Sequence, residues 1–221
     1  MNEIYLLTIN TEKLPSSYKE MLERVSNEKI KKIKNYKFDI DIKLSLYSDL
    51  LVRYLACQKL NLNNEKLTIE KNIYGKPYIL GEANFNYNIS HTHNAMSIAI
   101  SENEVGIDIE KIGLCDFEIV NRYFSNAESE YIFSNNQEQN KRFYEIWTKK
   151  ESFIKWDGRG LAVPLDSFNV LEKNSLIKSY IIGDYIISVC SKNKINNDII
   201  YITENQLIEK ALELCPSISL I

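Results

Sequence analysis

The chain has 221 residues, 44% hydrophobic and 26% charged, which is enough for one large domain or two small ones around a substantial core. Its net charge of −3 lacks the basic surplus that an extended nucleic-acid footprint requires, and no apolar run approaches the roughly 20 residues of a membrane span. Cys57, Cys115, Cys190 and Cys215 are far apart with no CxxC pair, which speaks against zinc and a disulfide framework and for a reducing cytoplasm.

The opening "MNEIYLLTIN" has no basic segment followed by a long apolar core, so it predicts a strand at 3–9 and not a signal peptide. A polar helix is expected around 16–35. An amphipathic one follows at 43–60, where Leu44, Tyr47, Leu51, Tyr54 and Leu55 recur at helical spacing. Strands follow near 67–70 and 78–80, then a hairpin across 84–101. The second half starts with a strand at 105–110 and continues with helical segments at 117–123, 126–134 and 140–156. Strands at 166–172, 176–182 and 185–191 complete it, the last alternating as a half-buried strand does. The element order thus occurs twice. It predicts an α+β protein, a pseudo-dimer of two similar α/β halves, each a long helix on a small antiparallel sheet. The halves are 1–103 and 104–221, with a cleft at their seam.

Four stretches carry chemistry. In "GIDIE" (106–110) strand alternation puts Asp108 and Glu110 on one face, ~7 Å apart along the strand. Such a pair repels unless water or a cation screens it; it suits either a wet strand face or magnesium with substrate phosphates. In "WTKKESFIKWDGRG" (147–160) Trp147, Glu151 and Lys155 share one helical face. Glu151 and Lys155 are then a surface pair or part of a half-buried site. Lys150 falls inside the apolar stripe of Phe143, Trp147 and Ile154, where a solvated lysine is out of place. The only two histidines, His91 and His93, stand in "NYNISHTHNAMSIAI" (86–100). No other ligands complete a metal pair there, and no nucleophile turn accompanies Ser90. A polar hairpin tip or a phosphate clamp remains. Finally, "EKIKKIKNYK" (28–37) is strongly basic and Lys76 sits on the turn of "YGKP".

In order, "YGKPYI", "NISH", "GIDIEK" and "WTKKESFIKWDGRGL" resemble the 4′-phosphopantetheinyl transferases of the two-half type, which activate peptide and polyketide synthetases. The match runs from about residue 26 to 170 and includes both signature blocks, G-x-D-x-E and W-x-x-K-E-[SA]-x-x-K. The resemblance implies an active site at the junction of the halves, coenzyme A as donor, magnesium, and a serine of an apo acyl or peptidyl carrier protein as acceptor. It implies Asp108, Glu110 and Glu151 as magnesium ligands. Glu151, or a metal-bound water it orients, is then the base, with Lys155 beside the developing charge. Ser90 and His91 match a coenzyme A phosphate contact, and Lys29, Lys32 and Lys76 match contacts to the 3′-phosphate and adenine. A monomer is expected, without nucleic acid or membrane partners.

Departures from the pattern are Leu44, where the family carries an arginine, and Thr92 in place of a serine. Lys43 lies one residue from Leu44, about 100° around the helix. His93 matches nothing and is expected on the turn surface. The alternatives are a magnesium-dependent phosphohydrolase acting on coenzyme A-like pyrophosphates, or a non-catalytic carrier-protein binder.

Overall fold

The computed structural model describes residues 2–9 and 13–217. The first half runs β1 (Glu3–Thr8), α1 (Tyr18–Leu22), α2 (Asn27–Ile33), α3 (Asp39–Leu60), β2 (Ile69–Lys71), β3 (Pro77–Ile79), β4 (Asn86–Thr92) and β5 (Ala95–Ser101). The second runs β6 (Val105–Lys111), α4 (Glu118–Tyr123), α5 (Asn126–Phe133), α6 (Gln139–Asp157), β7 (Ile177–Ile182) and β8 (Tyr185–Ser191). A closing pair, β9 (Ile200–Ile202) and α7 (Glu204–Leu212), follows.

Local chemistry explains where the elements differ from expectation. The helix expected over 16–35 is two helices. Arg24 turns back to take the Glu20 carbonyl at 2.8 Å, and Ser26 starts α2 by accepting the Lys29 N–H. The amphipathic helix expected at 43–60, α3, begins at Asp39 because Asp39 and Asp41 extend it with acids suited to a first turn. It stops where Asn61 turns left-handed at φ 52°. The strand expected at 166–172 is a pair of 3-10 turns, Leu165–Ser167 and Val170–Glu172. Its backbone groups are satisfied by side chains instead of a ladder. Glu128 takes the Val170 N–H, and the Lys150 ammonium donates to the carbonyls of Leu165 and Phe168.

Four strands, in the order β4-β5-β1-β9, form one sheet, with β1 and β9 parallel and the other pairs antiparallel. The second sheet is antiparallel in the order β6-β8-β7, and β2 and β3 make a separate ribbon. Alternation along β1 explains the layering. Tyr5 and Leu7 face α3 with Leu46, Leu50 and Leu51, whereas Ile4 and Leu6 face Ile107, Ile109, Ile187 and Val189 of the other sheet. The order is therefore helix, sheet, sheet, helix, with α6 covering the far face of the second sheet. The closing pair belongs to the first half: β9 extends its sheet, and Leu207 and Ala211 of α7 enter its core. Residues 200–212 thus cross back over the simple division at 103/104.

Gly106 sets the depth of α6. A Cβ there would lie 2.0 Å from the Ser152 carbonyl oxygen and 2.3 Å from the Trp156 nitrogen, so only glycine admits this approach. The contact lowers the helix onto β6 two residues before Asp108.

Candidate active site

Three elements meet at the seam. Strand β4 supplies Ser90 and Thr92, β6 supplies Asp108 and Glu110, and α6 supplies Trp147, Glu151 and Lys155. The edges of β4 and β6 are locked together by Asn88, whose side-chain oxygen accepts the Ile107 N–H at 3.0 Å. Asp108 is only 3% exposed. Its Oδ1 accepts from Ser90 Oγ at 2.7 Å and from Lys155 Nζ at 2.6 Å, and that ammonium also donates to Ser90 Oγ at 3.0 Å. Thr92 Oγ1 donates to Glu110 Oε2 at 2.8 Å. Glu151 makes no hydrogen bond or ion pair among the described residues, and its carboxylate shares a cavity of about 340 Å³ with Asp108, Glu110, Trp147, Lys155 and His91.

Burial first, and then the Asp108 charge, pushes both Glu110 and Glu151 above the ordinary carboxylate range. Thr92 and Lys155 oppose the shift at Glu110, and Lys155 opposes it at Glu151. A carboxylate raised in this way is a better proton acceptor than a solvated one. His91 moves the other way. Desolvation and then Lys155 lower its imidazole, so near neutrality the ring is uncharged. Its exposed surface lets water limit the shift.

The donor set suits a hard divalent cation. It is three carboxylates, and Asp108 Oδ2 is buried without a hydrogen-bond partner among the described residues, a costly state that a cation would relieve. As they stand, no three His, Cys, Asp or Glu among the described residues are gathered closely enough to hold an ion. Here the Lys155 ammonium supplies the positive charge beside Asp108.

His91 also lines a second cavity, of about 550 Å³, with Lys29 and Lys32 of α2 and Ser45 of α3. The predicted residues thus come together as two adjoining groups, one acidic and one basic. Lys76 is apart from both. Its ammonium is engaged by Glu104 and reaches the Trp156 carbonyl oxygen at 3.4 Å, while Asn72 donates to the Gly158 carbonyl at 3.2 Å. This turn therefore ties the two halves together beside the site. Lys43 does not replace the cation missing at Leu44. It is 1% exposed and donates to Glu204 on α7 at 2.6 Å, with Tyr47 on the same oxygen at 2.8 Å; Leu44 is buried in the core. His93 occupies the hairpin tip at φ 43°.

Two parts of the site were not anticipated. The Thr92–Glu110 bond was available from alternation, since Ser90 and Thr92 share a face of β4 as Asp108 and Glu110 share one of β6. The other is an opening of about 650 Å³ on the far side of Glu151 and Trp147, walled by Tyr123, Val163, Pro164 and Leu165. No sequence signal joins residues so far apart along the chain.

An acidic centre thus lies beside a basic groove, at the junction of two α+β halves. Residues 12–103 match the family "4′-phosphopantetheinyl transferase, N-terminal", and 104–200 match the "4′-phosphopantetheinyl transferase superfamily". The chain is 40% identical over 147 residues to the 4′-phosphopantetheinyl transferase gsp of Aneurinibacillus migulanus, covering 65% of this chain and 60% of that protein. It is 37% identical over 151 residues to the 4′-phosphopantetheinyl transferase ffp of Bacillus subtilis, covering 68% and 67%. A rat (Rattus norvegicus) relative, L-aminoadipate-semialdehyde dehydrogenase-phosphopantetheinyl transferase, is 34% identical over 162 residues, covering 66% and 52%. The chain belongs to the 4′-phosphopantetheinyl transferase superfamily, in its two-half form.

Proposed function

We propose that the chain moves the 4′-phosphopantetheine arm of coenzyme A onto a serine of an apo acyl or peptidyl carrier protein, releasing adenosine 3′,5′-bisphosphate. The observation that carries this reading is the pair of adjoining cavities of opposite sign, joined at His91. Coenzyme A has phosphates for the basic groove and a diphosphate at which charge develops for the acidic one.

The serine oxygen bonds to the phosphorus that carries the pantetheine. The bond from that phosphorus to the bridging oxygen breaks, and its electron pair leaves with the adenosine-side phosphate. Glu151, raised in pKa and free of hydrogen bonds, takes the hydroxyl proton directly or through a water it orients. Lys155 stands where it can exchange Asp108 for the leaving phosphate. Asp108, Glu110 and Glu151 would hold magnesium, which when bound neutralises the diphosphate oxygens. Lys29, Lys32, Ser90 and His91 hold the donor's phosphates, and Lys76 keeps the 72–77 turn at the seam. Both sides of the site come from this chain, which supports action as a monomer. All four cysteines are free thiols, which supports a reducing cytoplasm as the place of action; among the described residues no helix is long and apolar enough to cross a membrane.

The test is intact-mass analysis of apo carrier domains incubated with the chain, coenzyme A and magnesium. One added phosphopantetheine per carrier, abolished by EDTA, is expected. Unmodified carriers across several types, with donor and metal saturating, would sink the reading.

A further inference from the structure

We infer that Lys71, at the end of β2, is a third ammonium of the basic groove and sets its preference for a ligand bearing a terminal phosphate monoester. The inference rests on the coenzyme A reading above and names a specificity residue within it.

The groove brings Lys29 and Lys32 of α2 together with Lys71 of the β2–β3 ribbon. Among the described residues, none of these three ammonium groups makes a hydrogen bond or ion pair. The acids that line the groove are otherwise engaged. Asp49 is held by Arg53 at 2.7 Å, and Glu70 accepts from the Tyr78 hydroxyl at 2.8 Å. Glu28 makes no hydrogen bond or ion pair among the described residues, and Glu70 keeps its charge because a phenol is a neutral donor. Three unpaired ammonium groups against these two carboxylates leave a surplus of one positive charge in a concave space.

The lysines feel one another. Burial lowers the Lys29 ammonium; Lys32, Arg53 and Lys71 push it further down, and Asp49 opposes them. Like charges gathered in this way are relieved by an anion of more than one charge placed among them. A phosphate monoester carries close to two charges and three acceptor oxygens at neutral pH, whereas each phosphate of a diphosphate bridge carries one. The other lysine of the ribbon's turn, Lys76, is committed to Glu104 and lies outside the groove. Lys71 is also exposed, and its strand is paired with β3 through the backbone in the register Ile69–Ile79 and Glu70–Tyr78, so its side chain can be changed without disturbing the ladder.

The experiment is calorimetric titration of the purified chain with coenzyme A and, separately, dephospho-coenzyme A, which keeps the diphosphate bridge and lacks the terminal monoester. It compares the unmodified chain with Lys71→Gln, Lys71→Arg and Lys19→Gln, the last at an exposed lysine of α1 as a control for net charge. The unmodified chain should prefer coenzyme A. Lys71→Gln should weaken coenzyme A about tenfold, the scale of one charge-assisted contact, and dephospho-coenzyme A less than about twofold. Lys71→Arg should retain the preference, and Lys19→Gln should change nothing. If Lys71→Gln weakens both ligands equally, or neither, while the unmodified chain keeps its preference, the role of Lys71 is overturned and the coenzyme A reading stands. If the unmodified chain binds neither coenzyme A nor dephospho-coenzyme A, both fall together.

Discussion

Two lysines on α6, little more than one turn apart, make ion pairs of opposite design. Lys150 and Glu128 pair at 2.8 Å with both side chains 0% exposed. The ammonium also donates to two carbonyls, and the carboxylate takes the N–H groups of Ser125 and Val170. Lys155 and Asp108 pair at 2.6 Å with side chains 27% and 5% exposed, and one Asp108 oxygen is left without a partner. The first pair is sealed and saturated, so it can only hold α5 and the 165–170 turns against α6. The second is open and incomplete, so its ions are free to exchange partners. Saturation, more than sequence motif, separates scaffold from machinery here: both lysines stand in the same W-x-x-K-E-S-x-x-K block.

The comparison can be broken at either end. Glu151→Gln, on the open side, should slow transfer by ~10²–10⁴, the range for losing a positioned base, with the fold intact. Measuring kcat against magnesium sharpens it, because added metal partly rescues a lost ligand and does not rescue a lost base. A second readout fixes the sign of the electrostatics. The folded pKa of Glu151 is raised, so its ionisation costs stability as pH rises through that value. Glu151→Gln should therefore melt higher than the parent above neutrality, and the gap should close below about pH 4, the unfolded carboxylate range. A variant that is equally active, or one that melts lower at pH 8, contradicts this account.

On the sealed side, Lys150→Met leaves Glu128 buried and unpaired, which costs ~3–5 kcal/mol of stability. Adding Glu128→Gln should recover part of that loss, and denaturant unfolding of the single and double variants measures both. Lys155→Met should cost far less stability and far more activity. If the two lysine variants lose stability equally, the contrast drawn here is wrong. The smallest effect belongs to Thr92→Val, which removes one bond to Glu110 and should lower stability by ~0.5–1.5 kcal/mol. Thermal melts of Thr92→Val alone and combined with Glu110→Gln should show the two changes to be non-additive.

The parts of this site that were legible in the sequence are those set by periodicity. Alternation placed Asp108 beside Glu110, and helical spacing aligned Trp147, Glu151 and Lys155. The buried place of Lys150 was visible because a charge interrupted an apolar stripe. What periodicity cannot carry is a side chain that satisfies a distant backbone. Glu128 turns 166–172 from a strand into two turns by reaching Val170, and Glu204 draws Lys43 away from the groove. The break within 16–35 has a local signal in Ser26 as a cap, set inside a run of helix formers. Thr203 and Gln206 form a capping box ahead of Leu207, a start signal for α7 that is written in the sequence.

The return of β9 to β1 has a consequence for the making of the protein. Leu7 pairs with Ile202, so the strand on one side of β1 is synthesised 195 residues after it. At ~5–20 residues per second, about 10–40 s pass between the two. During that interval the nascent first half carries an unfilled strand edge and lacks the helix that supplies Leu207 and Ala211. An exposed edge is a template for pairing with other chains, and in this fold it is β9 that closes that edge on β1.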